Sequence, residues 1–167
     1  MPILGTNSLN QDTSVKVGGV QMNGVITATG DTLTVTPEEY AGRVIVFGKT
    51  TGTIVTLPAA TGTGNTYTFV IGTAATSNAN IIKVANATDV MNGSMILQQD
   101  TDVAGTLKLW AAATNDDTVT LAGAATTGGI KGNRIVCTDY ASGFWNVTGF
   151  TQSSGGSEAT PFSATVS

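Results

Sequence analysis

Arg134-Ile135-Val136-Cys137-Thr138-Asp139-Tyr140, then Ala141-Ser142-Gly143, then Phe144-Trp145-Asn146-Val147-Thr148-Gly149-Phe150: this stretch decides the fold. Two runs rich in β-branched and aromatic residues flank a three-residue connection containing Gly, which is the pattern of a β-hairpin. Side chains alternate across a strand, so Ile135 and Cys137 share one face, and Trp145 and Val147 share another. If both faces point the same way, the hairpin has one buried side and needs a second layer to cover it.

The rest of the chain supplies that layer in the same grammar. Thr66 to Ile71 places Tyr67, Phe69 and Ile71 on one face. Asn80 to Val84 offers Ile82 and Val84, Thr106 to Trp110 offers Leu107 and Leu109, and Thr118 to Leu121 offers Val119 and Leu121. Arg43 to Phe47 is apolar on both faces, and Thr53 to Leu57 is stopped by Pro58. The core expected from this phasing is Val44, Val46, Ile54, Tyr67, Phe69, Ile71, Ile82, Leu107, Leu109, Val119, Leu121, Ile135, Cys137, Trp145 and Val147. Strands recurring every 10–14 residues or so, between Gly- and Asn-rich turns, predict an all-β chain. The expected architecture is a jelly-roll-like β-sandwich of two antiparallel sheets. One helical turn is expected at residues 37–42, with Thr36 as N-cap, Pro37 in the first turn, Glu38 and Glu39 complementing the dipole, and Gly42 ending it.

Length and composition bound the rest. The 167 residues suit one domain, able to bury about 70% of its unfolded surface without disulfide or metal. Residues 1–14 read as an N-terminal arm or lead-in strand, 15–151 as the sandwich, and 152–167 as a flexible linker followed by a C-terminal strand or arm. Charged residues make up only 11%, against about 25% in ordinary soluble domains, and Thr takes over the outward positions of the strands. The start, Met1-Pro2-Ile3-Leu4-Gly5, lacks the basic region of a signal peptide, and no 18-residue apolar run is present to cross a membrane as a helix.

Several chemistries are excluded by residue type. The sequence has no histidine, which removes Ser-His-Asp and Cys-His triads and imidazole metal sites. Seven Lys and Arg, scattered in a chain of net charge −4, make nucleic acid a poor partner. The single cysteine, Cys137, lies in an apolar run and reads as a small buried hydrophobe. Asp100-Thr101-Asp102 and Asn115-Asp116-Asp117 are the only carboxylate clusters. They read as turn caps, because the calcium-loop pattern, with Gly at its turn and a closing Glu, is missing. No catalytic residue, cofactor or metal is expected, and the chain is expected not to be an enzyme. Trp110, on the face of Thr106 and Lys108, is the candidate ring for stacking on a sugar. Ile3, Leu4 and Leu9 are isolated apolar residues in a stretch with no core of its own, and are the candidate docking residues.

The order Leu33-x-Val35-x-x-Glu38-x-Tyr40-x-Gly42-Arg43-Val44-Ile45, Thr53-Ile54-Val55-Thr56-Leu57-Pro58, Gly64-x-x-Tyr67-x-Phe69, Ile81-Ile82, Asn92-Gly93 and Gly143-x-Trp145-x-Val147-x-Gly149 resembles β-sandwich modules of tailed-phage virion proteins. These are head decoration (cement) proteins and the distal modules of tail spikes. The resemblance implies a homotrimer on the outer surface of a capsid, bracing the shell, and the isolated apolar Ile3, Leu4 and Leu9 are then the candidate contacts of residues 1–12 with the major capsid protein. It leaves contact with host-surface glycan open, and it implies neither nucleic acid nor membrane as a partner. A tail spike carries a long repetitive stem, which this chain lacks, so decoration is the favoured expectation. The alternative is a carbohydrate-binding, receptor-binding sandwich module built on Trp110.

Overall fold

A computed structural model describes residues 24–98, 107–123, 126–153 and 158–166. Among the described residues there are twelve strands and one short helix: β1 (Val25–Ala28), β2 (Thr32–Thr34), α1 (Pro37–Tyr40), β3 (Val44–Phe47), β4 (Ile54–Thr56), β5 (Thr66–Ile71), β6 (Asn80–Lys83), β7 (Val90–Gln98), β8 (Leu107–Ala111), β9 (Thr118–Leu121), β10 (Arg134–Ala141), β11 (Phe144–Gln152) and β12 (Phe162–Ser163). The larger sheet runs β1-β3-β5-β10-β11-β7-β8 and the smaller β12-β9-β6-β4-β2. Two sheets packed face to face make the fold an all-β sandwich, as the alternation predicts.

Pairing within the sheets differs from the antiparallel expectation. β1 pairs β3, β3 pairs β5, β2 pairs β4, β4 pairs β6, and β7 pairs β11, all in parallel. The cause is the route of the chain. From β1 to β7 each strand lies in the sheet opposite to its predecessor, so strands next to each other in sequence do not pair. Through β6 each strand returns beside the one before last in the same direction, and the chain winds as a flat coil; β7 leaves this order and lies between β11 and β8. Strand spacing alone does not distinguish this winding from a set of hairpins.

The core lies between the sheets, and transverse rows show how it is built. Across the larger sheet, Ile26, Ile45, Phe69, Ile135, Gly149, Met95 and Trp110 stand in register on the inner side. Facing them on the smaller sheet are Leu33, Val55, Ile82, Val119 and Phe162. Phe47 and Phe69 pack with ring centroids 5.9 Å apart, and Tyr67 and Trp145 at 5.8 Å, separations at which tilted rings attract. Ten of the expected core residues are fully buried: Tyr67, Phe69, Ile71, Ile82, Val119, Leu121, Ile135, Cys137, Trp145 and Val147.

Five are not. Val44 and Val46 are half-buried on the outer side, while Ile45 and Phe47 take the core. The same inversion puts Val55 inside and leaves Ile54 exposed. Leu107 and Leu109 are exposed, and Lys108 and Trp110 take the inner side of β8. Runs apolar on both faces carry no phase, and in β8 the outer side of the sheet is itself apolar.

The helical turn is α1, shorter than the expected 37–42. Pro37 stands in its first turn, and Gly42 follows at φ 73. Thr36 occupies the N-cap without a side-chain hydrogen bond. At the other end of the chain, β12 pairs antiparallel with β9 and forms an edge of the smaller sheet. The candidate arm, residues 1–14, lies outside the described residues.

Candidate functional site

Loops at the ends of the sandwich are tied down by buried carboxylates. Asp139, on the inner side of β10, accepts hydrogen bonds from the N–H groups of Thr61 (3.0 Å), Gly62 (2.6 Å) and Thr63 (3.1 Å) and from the Thr63 hydroxyl (2.7 Å). Burial would raise its pKa, but these hydrogen bonds outweigh it and hold the carboxyl below the usual range. Asp89 accepts from the Ala60 N–H at 2.8 Å and from the Asn86 amide at 3.0 Å. Asp117 accepts from the Thr165 N–H and the Thr118 hydroxyl, both at 2.8 Å, and pins the end of the chain beside β9. Asp116 caps its turn through the Ala113 N–H at 2.7 Å. Asp116 is thus a turn cap, as the sequence predicts, whereas Asp117 is a long-range clamp rather than a cap. Asp100 and Asp102 lie outside the described residues. Among the described residues no group of three or more His, Cys, Asp or Glu is placed to hold a metal ion.

Cys137 is fully buried in the core, and burial pushes its thiol well above the ordinary value. Trp110 is half-buried against the core, its Nε1 buried without a partner among the described residues. Its neighbour Lys108 reaches Glu158 at 2.8 Å, and that hydrogen bond holds the Glu158 carboxyl below the usual range. The ring expected to offer a sugar platform thus belongs to the inner side of β8. Ile3, Leu4 and Leu9 lie outside the described residues.

The most distinctive surface is one that the strand phasing does not single out. On the outer side of the larger sheet, one transverse row holds Thr27, Val46, Val70, Arg134, Phe150, Ile96 and Leu109 in register. The adjacent row holds Val25, Val44, Thr68, Val136, Thr148, Ser94 and Ala111. Leu107 extends the patch beyond Leu109. Exposure is high for large apolar groups: Leu109 69%, Leu107 58%, Phe150 51% and Ile96 39%. A hollow of about 260 Å³ lies in this face, lined by Arg134, Val136, Thr148, Gly149 and Phe150. Among the described residues of the two rows, Arg134 is the single charge, and it opens β10 at the end of the sheet. Contiguous exposed apolar surface rimmed by polar residues marks an interaction site.

A second hollow, of about 430 Å³, lies among Asp31, Thr51, Gly52, Ile54, Asn78, Ala79 and Ile81, with Asp31 ion-paired to Lys49.

Comparisons with protein-family models, with curated proteins and with solved structures found no match to this chain.

Proposed function

We propose that this chain is a non-enzymatic structural protein of a tailed-phage virion, a homotrimeric decoration protein on the outer capsid surface that grips the major capsid protein and stabilises the shell. One observation carries the reading: the exposed apolar row Phe150, Ile96 and Leu109 on the outer side of the larger sheet. A surface of this kind is suited to assembly. The clamped loops support it too, because carboxylates spent on Thr61, Gly62, Thr63 and Ala60 give a stiff body. The resemblance in the order of sequence motifs suggests the capsid as the place of assembly.

The test is removal of the gene for this chain from a phage that encodes it. Heads are expected to assemble but to release DNA at lower temperature or under milder osmotic shock than decorated heads. Added purified protein should bind the bare heads and restore their stability. Virions that never contain the chain, or heads equally stable with and without it, would overturn the reading.

A further inference from the structure

We infer that the outer face of the larger sheet is the surface through which copies of this chain meet, with the ridge Phe150–Ile96–Leu109 of one copy seated on the same face of another. The inference rests on the homo-oligomeric part of the proposed function and gives it a location.

Charge points to a second copy. The chain has net charge −4, which opposes self-association wherever its carboxylates gather. Every described carboxylate lies off this face: in α1, in the connections, or, for Asp139, on the inner side of β10. As far as the described residues go, two copies therefore approach here without juxtaposing like carboxylates. A nucleic acid or an anionic bilayer would require clustered cations, and the two rows offer Arg134 alone.

Shape and size agree. The row of Phe150, Ile96 and Leu109 stands beside the smaller Thr148, Ser94 and Ala111, a ridge next to a furrow. The hollow beside Phe150 gives a protruding side chain such as Leu109 of a second copy a seat. Seven strands at ~4.8 Å spacing and about six residues of ~3.3 Å make a face of roughly 30 by 20 Å, or about 600 Å². That approaches the ~800 Å² per partner of a standard stable interface. Sheets stack face to face at ~10 Å when their side chains interdigitate, which ridge and furrow permit.

The experiment is sedimentation of the full chain at micromolar concentration, comparing wild type with Leu109→Asp and Phe150→Asp. Thr120→Asp, on the outer side of the smaller sheet, serves as control. Wild type and control are expected to sediment as the same oligomer, larger than a monomer. The two face variants should self-associate at least about tenfold more weakly, with unchanged far-UV circular dichroism. A Leu109→Cys variant gives a second readout that does not depend on a charged substitution, because the native Cys137 is buried. Its introduced thiol should react with a maleimide slowly at high protein concentration and fast on dilution. A monomeric wild type overturns both this surface and the homo-oligomeric reading. An oligomer that survives Leu109→Asp and Phe150→Asp, or a Leu109→Cys variant modified at the same rate at all concentrations, overturns this surface and leaves the oligomer standing.

Discussion

The Asp139 carboxylate accepts the Gly62 N–H at 2.6 Å, across 77 residues of sequence. With the neighbouring N–H groups of Thr61 and Thr63, it forms a cradle that closes the β4–β5 connection onto the end of β10. The adjacent bridge between Thr61 and Ser142 extends the tie to the hairpin turn.

Replacing this carboxylate should be costly and pH-dependent. Asp139→Asn is expected to lose about 2–3 kcal/mol at neutral pH, because an amide accepts fewer of these hydrogen bonds and carries no charge. The folded carboxyl lies below its ordinary value. Its contribution is therefore complete above the unfolded value near 4 and disappears as pH falls through the lower folded value. The gap in melting temperature between wild type and Asp139→Asn should narrow as pH falls from 6 to 2. A gap that does not narrow as pH falls would mean that the cradle acts through packing.

Tyr67 and Trp145 separate packing from polarity in the core. Both are fully buried, and Tyr67 Oη and Trp145 Nε1 have no partner among the described residues. Burial, with the charges of Asp139 and Glu38 adding, pushes the Tyr67 phenol up to about 12. Tyr67→Phe should leave stability unchanged or raise it by about 1 kcal/mol, since an unpaired buried hydroxyl is removed. Trp145→Ala and Phe69→Ala should each cost about 3–5 kcal/mol through the cavity they leave. Urea denaturation of the three variants checks the contrast. A loss above about 1 kcal/mol in Tyr67→Phe would show that the hydroxyl is satisfied.

Gly93 permits a close backbone approach inside a strand. It has φ 127, and a Cβ there would collide with the Val147 carbonyl oxygen on β11. Gly64 also has positive φ, but a Cβ there meets nothing within 4 Å. Gly93→Ala should therefore destabilise by about 3 kcal/mol or more, against about 1–2 kcal/mol for Gly64→Ala. Equal costs would argue that β7 shifts to relieve the contact.

Cys137 should be inert in the folded protein. A disulfide reagent at neutral pH should modify it only when denaturant exposes it, because the thiol is buried and its ionisation suppressed. Modification of the native protein within minutes would contradict the packing of β10 against the smaller sheet.

How much of the fold is legible in the sequence follows from how each strand is buried. In the β10–β11 hairpin, Tyr67-x-Phe69-x-Ile71 and Val119-x-Leu121, Thr and Asn at alternate positions identify the buried face correctly, although Val70, Val136 and Phe150 stand on the outer side. In Val44–Phe47 both faces are apolar, so composition assigns a strand but not its phase. β7 is hidden because Asn92-Gly93 has the signature of a turn. The period-two set Met91, Met95 and Leu97 is the available signal, broken at the position where Gly93 admits Val147. The outer apolar face is hidden for a related reason. Leu107 and Leu109 look like core residues when the opposite side of their strand carries Lys108, and only the cross-strand register to Ile96 and Phe150 shows them as part of a surface.

The winding of the chain also has a mechanical consequence. Between β1 and β7 the backbone passes from one sheet to the other six times, so the sandwich is stitched like a quilt. A sandwich built from hairpins resists peeling of its layers mainly through side-chain contacts. Here a pull that lifts the larger sheet draws on peptide bonds at every crossing. A force applied to one broad face is thereby shared across the whole thickness of the molecule.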